Sequence, residues 1–151
     1  MDNKGNKSID YVEKLKETPN ELKTYELCLK AVKDKGYALK FVPDELKTKE
    51  LCTAAVKKSG CTLQYVPERF KSYEMCFIAV AGDGEALRYV PSEHAHHEIC
   101  IMAVENYGGA IRWVPEKYKT YELCLSAVKR YGGGNKDEKN KFWLFKQDNN
   151  S

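Results

Sequence analysis

Apolar side chains at Leu27, Cys28, Ala31 and Val32 fall at the spacing of one helix face, with polar residues mostly between them. The stripe returns every 24 residues, at Leu51, Cys52, Ala55 and Val56 and onward to Leu123, Cys124, Ala127 and Val128. Thr24, Thr48, Ser72 and Thr120 stand just ahead of it, where an oxygen-bearing side chain caps a helix start. A glutamate follows two residues later in each copy, near the positive end of the helix dipole. The pattern predicts a helix of about eleven residues. The glycine column Gly36, Gly60, Gly84, Gly108 and Gly132 then reads as its C-cap. A shorter element follows, Ala-Leu-x-aromatic-Val before proline. A short second helix is favoured because the chain has little room to turn, and a strand stays open because residues before proline avoid the α region.

The other columns keep the same step. All five prolines (19, 43, 67, 91, 115), five of the six cysteines and the glutamates 26, 50, 74, 98 and 122 are 24 residues apart, with no insertion. A unit of two short helices cannot bury its own stripe, so neighbouring units have to stack. The fold expected is all-α: a compact, solenoid-like array, right- or left-handed, of five 24-residue two-helix repeats over residues 19–133. Residues 1–18 hold a polar segment and a helix from Ile9 to Leu15 that caps the first copy. Residues 134–151 hold a charged linker and an aromatic tail with Phe142, Trp143, Leu144 and Phe145, read as a cap on the last copy or an anchor for a partner.

The stretch ELCLKAVKDKGYALKFVPDEL at residues 26–46 resembles a bacterial family of tandem short-helix repeats of unknown function, whose consensus reads ELC..AV...G.AL.YVP.EL. The resemblance covers roughly residues 19–133 and implies an all-helical repeat module. It implies no activity and no catalytic residue.

Composition narrows the classes. The chain is 151 residues long and 42% hydrophobic, enough for one domain with a core. A net charge of +3 falls short of a dedicated nucleic-acid binder. The polar start MDNKGNKSID lacks a secretory apolar run, and no stretch matches the roughly 20 apolar residues of a membrane span. We therefore expect a soluble protein with reduced thiols, cytoplasmic or delivered into a host cell, with no membrane partner and no cofactor.

Candidate chemistry sits where columns carry charge or break. Lys40, Gln64, Arg88 and Arg112 precede the aromatics Phe41, Tyr65, Tyr89 and Trp113, forming a ladder of donors beside rings. Lys23, Lys47, Lys71 and Lys119 form a second ladder, expected to pair with the glutamate three residues on. The cysteine column is expected to pack as core, with Cys61 beside Gly60 as the accessible thiol. The fourth copy replaces LKTY with HAHH: His94 falls in the Leu46/Phe70 column, His96 at the helix cap and His97 at the tyrosine position. A zinc site needs three or four ligands at recognisable spacing, and the segment supplies no full set.

The leading reading is a non-enzymatic module, an effector or inhibitor that binds and occludes an unidentified partner protein. Its candidate contacts are Lys40, Gln64, Arg88, Arg112, His94, His96, His97 and Trp143. An alternative is RNA or single-stranded nucleic acid held along the basic ladder by cations and stacking. A weaker one is metal sensing through HAHH. The oligomeric state is not legible.

Overall fold

The computed structural model describes residues 9–130, and among these every regular element is a helix. Six are α-helices: α1 (Tyr11–Glu17), α2 (Tyr25–Asp34), α3 (Lys49–Lys58), α4 (Tyr73–Gly82), α5 (His97–Asn106) and α6 (Tyr121–Arg130). Helices α2 to α6 are ten residues each and begin 24 residues apart. None is long and apolar enough to cross a membrane.

The shorter element of each unit is a 3₁₀-helix, Gly36–Phe41, Gly60–Tyr65, Gly84–Tyr89 and Gly108–Trp113, which settles helix over strand. Six residues is long for this helix type. Its three-residue turn accounts for the burial pattern: Gly36, Leu39 and Val42 lie on one buried stripe, while Tyr37 and Lys40 share an exposed one. A third element, unread in the sequence, is a single 3₁₀ turn after proline at Asn20–Leu22, Asp44–Leu46, Glu68–Phe70 and Glu116–Tyr118. In the fourth copy, residues 92–94 form a turn there instead.

The caps fall where the pattern places them. Thr24 Oγ1 accepts from Leu27 N–H at 3.3 Å, Thr48 from Leu51 at 3.2 Å, Ser72 from Met75 at 3.3 Å and Thr120 from Leu123 at 3.2 Å. The leading helix differs in type. Val12 and Leu15 stand 24 residues ahead of Gly36 and Leu39, yet α1 is an α-helix, capped by Asp10 accepting from Val12 and Glu13 N–H.

Consecutive α-helices touch in chain order, as do consecutive long 3₁₀-helices, and each long 3₁₀-helix also packs on its own α-helix and the next. The core between the two rows holds Leu15, Leu39, Leu51, Leu63 and Ile99, together with the Cys, Ala and Val columns of the α-helices.

The glycine column is not a helix C-cap. The C-cap residues are Lys35, Ser59, Asp83 and Tyr107, all extended, and no described glycine has a positive φ. The glycines instead open the 3₁₀-helices and meet backbone of the next α-helix. A Cβ on Gly36 would lie 2.7 Å from the Ala55 carbonyl oxygen. On Gly60 it would lie 2.1 Å from that of Ala79, and on Gly84 2.4 Å from that of Ala103. Only hydrogen fits. Gly60→Ala is therefore expected to lower unfolding stability by about 1–3 kcal/mol through forced separation of backbone, as measured by urea denaturation. An unchanged midpoint would refute the contact as the reason for the glycine.

Candidate functional site

The three-residue turn of the long 3₁₀-helix carries the ladder. Lys40, Gln64, Arg88 and Arg112 are exposed, and Phe41, Tyr65, Tyr89 and Trp113 are half-buried against the core. Three of the four ladder residues reach back one 3₁₀ turn. Gln64 Nε2 donates to the Cys61 carbonyl at 3.1 Å, Arg88 pairs with Glu85 at 3.2 Å, and Arg112 Nε donates to the Gly109 carbonyl at 3.1 Å.

Cations also lie over rings of their own and the following copy. The Arg88 guanidinium is 5.0 Å from the Tyr89 centroid and 5.5 Å from that of Trp113. Arg112 is 5.4 Å from the Trp113 ring, and Lys40 5.9 Å from that of Phe41. Lys16 Nζ is 5.3 Å from the same Phe41 ring. Lys16 thus continues the ladder backwards; its register, 24 residues before Lys40, was the available signal. Each exposed cation–ring contact contributes about 0.5–1 kcal/mol. The result is a strip of ordered cations alternating with aromatic edges.

The second lysine ladder pairs the other way. Lys47 meets Asp44 at 2.8 Å, Lys71 meets Glu68 at 2.6 Å and Lys119 meets Glu116, each three residues back, not the glutamate three residues on. Lys23 follows the same direction, donating to Asn20 Oδ1 and to the Phe41 carbonyl, both at 2.9 Å. The post-proline turn brings i and i+3 together. The lysine stems are largely buried, with 9% of the Lys71 side chain exposed against 74% for Glu68. These lysines serve the fold and are withdrawn from the surface.

The histidines do not converge. His96 packs on Tyr73 with centroids 5.5 Å apart, His97 packs on Tyr118 at 5.7 Å, and His94 stays half-buried in its column. Among the described residues no three His, Cys, Asp or Glu side chains gather as a metal site. What the fourth copy loses is local support: Ser92 and Ala95 replace both members of the Lys–acid tie, and His96 gives α5 no side-chain cap. Losing both partners avoids stranding a buried charge.

The thiols are inert by environment. The five column cysteines are buried, and burial pushes Cys52, Cys76 and Cys100 up to about 11. Cys61 is less buried, but burial and its hydrogen bond to the Asp83 carboxylate at 3.0 Å push it up to about 12. Its position off the column marks exposure and not reactivity. Trp143 and the rest of the aromatic tail lie outside the described residues.

Two outcomes follow. The His96 backbone (φ −77°, ψ 166°) already matches that of Ser72 (φ −79°, ψ 162°). His96→Thr is therefore expected to raise stability by about 1 kcal/mol through the restored cap, read as a higher denaturation midpoint. Because the raised thiol values keep the neutral form at about pH 8, a disulfide reagent should leave the native thiols unreacted there. Reactivity should rise only as pH climbs toward 11, and all six cysteines should react in denaturant. Fast reaction of Cys61 in the native protein would contradict this.

Residues 48–94, about a third of the chain, match a family described as a domain of unknown function, DUF4116. No curated protein and no solved structure matches the chain.

Proposed function

We propose that the chain is a non-enzymatic interaction module in which five 24-residue units stack as a solenoid-like array and dock a protein partner along the cation–aromatic strip. The observation that carries this reading is Arg88, whose guanidinium lies over both Tyr89 and Trp113 at 5.0 and 5.5 Å. A guanidinium held on two rings loses little further freedom on binding, and ordered Arg–aromatic groups are what protein interfaces use as anchors. Lys16, Lys40 and Arg112 repeat the arrangement along the array. Because its rungs recur from unit to unit, the strip suits an extended surface over a small ligand, and the module acts by occluding its partner as an effector or inhibitor does.

A second reading, RNA or another single strand, draws on the same alternation of cations and rings. It is weaker because the rings already pack against the core and Glu85 neutralises Arg88. The glutamates at 26, 50, 74, 98 and 122 also add negative charge along the chain.

The test is retention from a native lysate on the immobilised full chain, with and without nuclease, beside an Arg88→Ala/Arg112→Ala variant of matching helicity. A stoichiometric protein that survives nuclease and is lost about tenfold or more by the variant supports the reading, since removing anchors of this kind costs more than 1 kcal/mol each. Recovery that vanishes with nuclease, and falls steeply with salt, moves the function to nucleic acid. Retention that ignores the variant rejects the strip.

A further inference from the structure

Hydrogen bonds between neighbouring α-helices show which side of each looks toward the next unit. Tyr73 Oη donates to Glu98 of the following helix at 3.0 Å. Asn106 Nδ2 of that helix donates back to the Val80 and Ala81 carbonyls at 3.0 and 3.2 Å. Positions 73, 76, 77 and 80 share one helix face, which is therefore the onward face. In α6 the last three of these positions are Cys124, Leu125 and Val128.

That face of α6 is the least covered of its kind. Helices α2 to α5 each pack between two α-helices, whereas among the described residues α6 has α5 and the 3₁₀-helix Gly108–Trp113 as its main neighbours. Val32, Val56, Val80 and Val104 are buried, while Val128 and Leu125 are half-buried. Cys124 is 6% exposed against 0% for the other four cysteines of its column.

The usual cover is missing from the sequence. In each earlier copy the long 3₁₀-helix and the residue after it bring a Leu or Ile and a Val: Leu39 and Val42, Leu63 and Val66, Leu87 and Val90, Ile111 and Val114. The matching places after α6 hold Asn135 and Glu138, which a core cannot take without partners. Apolar side chains arrive instead at Phe142, Trp143, Leu144 and Phe145, four uncharged residues with Lys141 before them and Lys146 after. The twelve-residue step from Arg130 to Phe142 reaches at most about 40 Å, and ten residues of α6 are only about 15 Å long. The tether is thus long enough to bring the four residues back along α6. A second copy or another protein would have to displace a segment held on the same chain at an effective concentration of about millimolar order.

We infer that residues 142–145 cover the onward face of α6, with Trp143 against Leu125 and Val128, in place of a sixth unit. A terminal unit of a stacked array needs such a closure. The inference stands apart from the partner strip, and it moves Trp143 from the candidate partner contacts to the core.

Fluorescence of the full chain tests this. Trp113→Phe leaves Trp143 as the single tryptophan, and Phe41 already fills that column in an earlier copy. Trp143 should then emit as a buried ring, resist acrylamide at every protein concentration, and become quenchable in urea together with the loss of helicity. Adding Leu125→Lys/Val128→Lys should release it, with emission and quenching moving to the values found in urea while most of the helicity remains. Should the lysines unfold the chain, Leu125→Ser alone carries the test and should shift both readouts in the same direction. A Trp143 as quenchable in the native chain as in urea overturns the inference. So does protection that ignores the α6 substitutions, or protection that appears only as protein concentration rises, which would place the segment on a second copy.

Discussion

The contact between a glycine of one unit and a carbonyl of the next governs how the units meet. Gly36, Gly60 and Gly84 receive the carbonyl oxygens of Ala55, Ala79 and Ala103, and in each case a methyl group in place of hydrogen would overlap the oxygen. The alanine column is the other half of the same contact, because a larger side chain on that helix face would hold the two backbones apart. With both surfaces bare, the units meet at one distance and in one register. Inserting a residue between Gly36 and Ala55 would displace the oxygen from the only place able to receive it. The 24-residue step is the length of chain needed to run from one such contact to the next, which is a physical reason for a repeat without insertions.

Much of this was legible before any coordinates. The period, the Thr and Ser caps and the burial of the cysteine column all follow from spacing, because helix faces and capping oxygens have short-range geometry. The glycines were misread for a reason that sequence cannot remove: a C-cap glycine and a close-approach glycine both stand just after a helix. Only the φ angle and the neighbour tell them apart. The lysine ladder failed similarly. Glu50 lies three residues after Lys47 and Asp44 three before it, and the backward partner wins because the post-proline turn is itself a 3₁₀ turn. That turn went unseen because three residues carry no periodicity.

The fourth copy shows how a repeat can lose a device without losing its fold. Its Lys–acid tie is absent as a pair, with Ser92 and Ala95 in the two places, so no ammonium is left buried and unmatched. The helix cap is absent too, yet His96 keeps cap backbone angles because Ile99, Cys100, Ala103 and Val104 are held in the core on either side of neighbouring helices. Tertiary packing therefore supports a helix whose local signals have been removed. Histidines that look like a site in isolation are side chains released from a structural duty, resting on Tyr73 and Tyr118.

A strictly kept scaffold changes what its variable positions mean. The Gly, Ala, Cys and Val columns are occupied by packing, so the recognition proposed above has to come from positions the packing leaves free. Along the strip these are Lys16 from α1 and Lys40, Gln64, Arg88 and Arg112 from the 3₁₀-helices, and each cation-on-ring rung is weak, contributing about 0.5–1 kcal/mol. Weak rungs at a regular spacing add up only for a ligand long enough to touch several at once. A small molecule meeting one rung gains little, whereas an extended surface gains from all of them and pays the cost of association once. As the proposed docking surface, the strip would therefore select for size and shape before it selects for chemistry.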